Sequence, residues 1–63
     1  MHCVLKHINY KTYLKYFKNI KFKHYVVDIN EATVFNKTEA RRMLATFKHP
    51  ENWEIIQINR KVR

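Results

Sequence analysis

Hydrophobic and polar positions change period along the chain, and the changes divide it into elements. Val4-Leu5-Lys6-His7-Ile8 predicts a first strand, with a turn at Asn9-Tyr10-Lys11. Thr12 to Phe17 is rich in β-formers and predicts a second strand, closed by a turn near Lys18-Asn19. The same stretch has a helical reading: Tyr10, Tyr13, Leu14 and Phe17 fall at helical spacing, with Lys11, Lys15 and Lys18 on another side. Thr, Tyr and Phe prefer a pleated surface and helix formers are few there, which favours strand. From Ile20 to Ile29 the alternation is clearer. Ile20, Phe22, His24 and Val26 share one parity and Lys21, Lys23, Tyr25 and Val27 the other, a strand with a lysine-bearing face.

The period then becomes helical. Asn36 is a good N-cap and Glu39 follows three residues later, as in a capping box. Ala40, Met43, Leu44 and Phe47 make one apolar stripe, with Arg41, Arg42, Ala45 and Lys48 mostly away from it. His49-Pro50 is expected to end the helix, because the residue before proline is pushed out of helical geometry. Trp53 to Arg60 predicts a last strand, with Ile56 and Ile58 on one face and Ile55 on the other. The expected fold is α+β: one helix on one face of a three- to four-stranded, mostly antiparallel sheet, in the order β-β-β-α-β.

The 63 residues suffice for a single domain, 1–63, with a small core. Cys3 is the lone cysteine, so no intrachain disulfide supports the fold, which leaves room for a partner or a homo-oligomer. No run approaches the ~20 apolar residues that span a bilayer, so no membrane partner is expected. The first residues lack the features of a signal peptide, which makes the cytoplasm the expected location. Glycine is absent, and without it a phosphate-cradling loop or a dinucleotide fingerprint cannot be built. Turns must instead use Asn, Asp and the single Pro. The wealth of Lys, Asn, Ile, Tyr and Phe also suits an A/T-rich genome, so codon bias explains some of the lysines.

The net charge of +8 is unevenly spread. Residues 1–27 hold six lysines and no acid, whereas residues 28–63 hold seven basic and five acidic groups. In the first half Tyr10, Tyr13, Tyr16, Phe17, Phe22 and Tyr25 are interleaved with Lys11, Lys15, Lys18, Lys21 and Lys23. Lysines neutralise phosphates while exposed rings stack on single-stranded bases, which points to nucleic acid. The plainer reading is a solvated basic face whose rings turn inward, and a small core is expected to bury at least half of them. Lysine charge survives either way and also suits an acidic protein surface. A second basic cluster comprises Arg41, Arg42, Lys48, Arg60, Lys61 and Arg63. Arg41, Arg42 and Lys48 could grip phosphates, or simply complement the helix dipole.

Candidate chemistry is sparse. His2, Cys3 and His7 have metal-ligand residue types, but on a strand His2 faces away from the other two. No metal or other cofactor is therefore expected, and Cys3 reads better as a small buried residue. The carboxylates Asp28, Glu31, Glu39, Glu51 and Glu54 do not cluster as a nuclease centre requires, so the chain reads as non-catalytic. Trp53 has two readings, as a cap on the core beside Phe47 or as an exposed interface anchor.

Asp28-Ile29-Asn30-Glu31-Ala32-Thr33-Val34-Phe35, then Thr38-Glu39-Ala40 and Trp53-Glu54-Ile55-Ile56, resembles a pattern in many small phage and prophage proteins. The resemblance spans about residues 22–58 and is mostly structural, implying that Ile29, Ala32 and Phe35 pack under the helix. It further implies an accessory protein that binds and modulates or inhibits a host nucleic-acid-handling or defence complex in the bacterial cytoplasm. The basic surface departs from acidic DNA-mimic inhibitors. Direct, low-specificity binding of DNA or RNA is the alternative. The residues expected to carry either role are Lys11, Lys15, Lys18, Lys21, Lys23, Arg41, Arg42 and Lys48.

Overall fold

A computed structural model describes residues 2–58. Strand β1 (His2–His7) is its spine, because it is buried on both sides: Cys3, Val4 and Leu5 are all within 1% of full burial. Strands β2 (Tyr13–Phe17), β3 (Phe22–Val26) and β4 (Trp53–Ile58) complete an antiparallel sheet in the order β3-β2-β1-β4. Helix α1 (Lys37–Ala45) lies between β3 and β4 in sequence, so the order is β-β-β-α-β as expected. Residues 10–19 adopt the strand reading, since β2 pairs with β3 from Tyr13↔Val26 to Phe17↔Phe22.

Register decides what faces the helix. Leu5 lies opposite Ile55, and Leu14 opposite Tyr25. Leu5, Leu14, Phe35 and Ala40 form the buried core, flanked by Tyr16, Met43, Leu44, Phe47, Trp53 and Ile55. Ile56 pairs with Val4 and so belongs to the opposite face, as the strand parity required.

β1 and β2 pair only near Lys6↔Tyr13 and then splay. A short extended segment fills the gap. Phe35 exchanges two backbone hydrogen bonds with Cys3, both 2.8 Å, while the Thr33 N–H donates to the Leu14 carbonyl at 3.0 Å. The Tyr16 N–H donates to Thr33 Oγ1 at 2.7 Å, so a side chain supplies a rung of the ladder. Phe35 and Ala32 are buried and Ile29 half-buried; of the three, Phe35 joins the core beneath α1.

Several element ends differ from expectation. The third strand is confined to Phe22–Val26 instead of Ile20–Ile29. The Phe17↔Phe22 pair closes the hairpin and puts Ile20 in its turn, while Ile29 enters a 3-10 turn whose Asn30 N–H donates to Asp28 Oδ1. That hairpin turn uses Lys21 at φ 51° as its left-handed residue, where Asn19 would have been the cheaper choice. The capping box forms as expected, with Glu39 N–H to Asn36 Oδ1 at 2.8 Å and Asn36 N–H to Glu39 Oε1 at 2.9 Å. Yet α1 stops at Ala45, ahead of His49-Pro50. Thr46 ends it by donating its hydroxyl to the Met43 carbonyl at 2.7 Å, and Pro50 instead opens a 3-10 turn, Pro50–Asn52. The first strand starts at His2, and the last ends at Ile58 among the described residues. Its expected extension to Arg60, like Lys61 and Arg63, lies outside them.

The larger correction concerns the rings. None of the six N-terminal aromatics is fully buried, and Tyr10, Phe17, Phe22 and Tyr25 are exposed. The core is filled by Leu5, Leu14, Phe35 and the helix stripe, because α1 makes its sheet contacts chiefly with β1 and leaves β3 uncovered.

Two stability outcomes follow. Asn36→Ala removes the cap and lowers unfolding free energy by about 1 kcal/mol in urea titration. Lys21→Gly relieves the left-handed residue, a cost of ~1–2 kcal/mol, against the extra chain entropy of glycine, ~0.4–1 kcal/mol. The net expectation is no loss and a gain of up to about 1.6 kcal/mol; clear destabilisation would show that the turn is unstrained.

Candidate functional site

Where β3 lies bare, the side chains facing α1 line a groove of about 740 Å³. Its centre is Trp53, the first residue of β4, half-buried against the core. Three rings converge on Trp53. Tyr25 of β3 stacks on it at 5.6 Å and 27°, Phe47 meets it edge-on at 5.3 Å, and His7 meets it edge-on at 5.0 Å. Tyr25 and Trp53 stand on the two outer strands, so their contact bridges the sheet over β2 and β1. Tyr10 adds a further ring, 5.0 Å from His7. The Asn9 N–H donates to His7 Nδ1 at 3.1 Å, so a neutral His7 ring carries its proton on Nε2.

The polar part of the wall is cationic. Lys23 Nζ sits 4.6 Å above the Phe47 ring, and Lys48 and His49 line the mouth. Among the described residues no carboxylate lines this groove. Glu51 is held 3.4 Å from His49 Nδ1, Glu54 pairs with Lys6 at 3.8 Å, and Asp28 caps its own turn. Ring faces attract an organic cation by themselves, but Lys23 and Lys48 in the wall repel one. With these two lysines the groove fits a planar ligand carrying negative charge.

A second depression of about 380 Å³ continues along α1 on the same face. It is lined by Tyr16, Lys18, Thr33, Phe35, Arg42 and Met43, and Thr46 lines both depressions and joins them. Glu39 also borders it, with one carboxylate oxygen already accepting the Asn36 N–H of the capping box.

The eight expected site residues do not share one surface. Lys23 and Lys48 line the aromatic groove, and Lys18 and Arg42 line its continuation. Lys11 is exposed in the loop between Tyr10 and Thr12, two residues of the groove wall. Lys15 lies on the opposite face, with its Nζ 5.4 Å from the Phe17 ring. Lys21 is exposed in the hairpin turn, and Arg41 is exposed on α1 outside both depressions. Trp53, Tyr25, His7 and Phe47 were not among the expected site residues. Their common face becomes visible only once β3, β4 and the end of α1 are placed around one end of the sheet.

Cys3 is buried, His2 is exposed, and His7 is engaged with Tyr10 and Trp53. Among the described residues no three His, Cys, Asp or Glu side chains gather closely enough to hold a metal ion. Among the described residues no helix is long and apolar enough to cross a membrane.

A second exposed patch lies away from α1, at the β2–β3 hairpin. Phe17 and Phe22 pair across the strands at 6.2 Å, His24 stacks on Phe22 at 6.1 Å, and Ile20 at the tip is 70% exposed. Comparison with known proteins found no matching family model, no matching curated protein and no matching solved structure.

Proposed function

We propose that this chain is a non-catalytic binding protein whose aromatic groove takes single-stranded nucleic acid. The observation that carries the reading is the stack of Trp53 and Tyr25 in a groove walled by Lys23 and Lys48 and, among the described residues, free of carboxylates. A base stacked on an exposed ring contributes ~1–3 kcal/mol whatever its identity. Tyr25 is 56% exposed, so it has ring surface left to cover. Lysines beside the rings meet the phosphates and release counterions. A duplex keeps its bases stacked internally and offers the rings nothing, so the groove favours a single strand.

A specific observation favours a second reading, the accessory protein that engages a host nucleic-acid-handling or defence complex in a bacterial cytoplasm. Phe17, Ile20 and Phe22 form an apolar hairpin end beside Lys15 and Lys21, the chemistry of a contact with an acidic protein surface. The two readings use different faces of the sheet.

Titration with labelled single- and double-stranded oligonucleotides at two salt concentrations separates them, with Trp53 fluorescence as an internal reporter. Expected are a single-strand preference, quenching of Trp53 and weaker binding at high salt. Tyr25→Ala, at an exposed edge position, costs about 1–3 kcal/mol of binding. Equal binding of duplex with no effect of Tyr25→Ala, or no binding at low salt, removes the nucleic-acid reading and leaves the protein partner.

A further inference from the structure

We infer that the groove is a two-part site for a short polynucleotide: a base-stacking subsite at Trp53 and Tyr25, and a backbone subsite at Lys18 and Arg42, joined past Thr46. The inference rests on the nucleic-acid reading above and adds to it a path and a division of labour. Thr46 belongs to both depressions, so a ligand longer than one nucleotide can leave the aromatic box along α1. The chemistry of the two parts differs. The first has the stacked pair Trp53–Tyr25 with Lys23 and Lys48 in its wall. The second has no exposed ring pair, but brings Lys18 from the start of the hairpin turn against Arg42 from the last turn of α1.

Phosphate chemistry suits that second part. Arg42 offers a planar fork of donors and Lys18 a point charge, both exposed and with no acidic partner within ion-pair distance among the described residues. Glu39 lines the same depression with one carboxylate oxygen accepting the Asn36 N–H, so against its single negative charge Lys18 and Arg42 leave the wall net positive. Charge complementarity therefore commits the occupant to the phosphodiester backbone of the same strand whose base sits at Trp53. The described residues measure 32 × 26 × 20 Å, so such a strand is short, at the low end of the ~4–16 nucleotides that a single OB fold covers. The sugar is left undefined by these contacts, so ribose and deoxyribose strands share the chemistry.

The inference separates short from long ligands. A thymidine dinucleotide reaches the stacking subsite alone, whereas an oligothymidine hexamer reaches both. Wild-type protein is expected to bind the hexamer more tightly than the dinucleotide. Lys18→Gln with Arg42→Gln is expected to abolish that gain, leave dinucleotide affinity unchanged, and flatten the slope of log affinity against log salt for the hexamer by about 1.4, two phosphates at ~0.7 each. Lys15→Gln with Arg41→Gln removes the same charge from residues outside the groove and is expected to keep most of the gain. An equal loss in the two double variants, or a hexamer that binds the Lys18/Arg42 variant as tightly as wild type, overturns the backbone subsite while the stacking site stands. Failure of both oligonucleotides to bind wild-type protein overturns the nucleic-acid reading itself. Running the series with oligouridine in parallel assigns the sugar; binding of either series, or of both, supports the two-part site. Circular dichroism of each variant confirms the fold.

Discussion

The two backbone hydrogen bonds between Cys3 and Phe35 set the layout of this protein. They insert residues 33–35 beside β1 and so fix where the next residue, Asn36, can cap α1. The helix is thereby seated on β1. A helix with its side chains is ~10–12 Å across, reaching about 5–6 Å to either side of its axis. Strands are ~4.8 Å apart, so β2 and β4 fall at the edge of that reach while β3, two strands from β1, lies about 10 Å away. A helix of nine residues cannot close the face over β3. The groove is what remains uncovered.

That gap turns a packing shortfall into a surface with chemistry. Tyr25 and Lys23 alternate along β3 with Phe22 and His24, so each face of the edge strand receives aromatic and basic groups together. An exposed edge strand with bare rings invites pairing with other chains, and lysine at such an edge is a common deterrent. Lys21 and Lys23 stand there, and the net charge of +8 adds general repulsion between copies. The same cations that keep the rings from associating with each other draw in a polyanion.

What the sequence revealed follows the range of the forces involved. The capping box of Asn36 and Glu39, the apolar stripe from Ala40 to Phe47 and the alternation of the strands are local, and all appear in the structure. The helix end was misplaced because Pro50 is a loud signal, whereas Thr46 acts quietly through one hydroxyl bond. Burial of the rings could not be read from residue type, since it depends on which strand the helix covers, and that depends on a Cys3–Phe35 pairing across 32 positions. The hint available was Thr33, a β-branched donor and acceptor in a segment of alternating character that ends at Phe35. Arg41 and Arg42 are equivalent in sequence, yet only Arg42 borders the groove, a distinction set by the rotation of α1 on β1. Lysine content located the basic half correctly and still dispersed its members over two faces and both ends of the sheet.

Fold and proposed site also share their residues, which couples stability to occupancy. Trp53 and Phe47 pack on the core with one side and line the groove with the other. A 63-residue chain without a disulfide carries only a small reserve of stability, because a domain this size leaves much of its surface in water. A ligand that binds only the folded chain adds stability by mass action, ~2.7 kcal/mol at a hundredfold excess over its dissociation constant. Against a total of ~5 kcal/mol, the lower end for small domains, that is a large fraction. The partial burial of Trp53 is therefore a compromise between two demands. Deeper burial would strengthen the free protein and close the site, whereas a more open ring would leave the core without its cap. At the observed position Phe47, beyond the end of α1 at Thr46, packs edge-on with the indole while Tyr25 stacks on it from β3, so the ring that caps the core also stays in the groove wall.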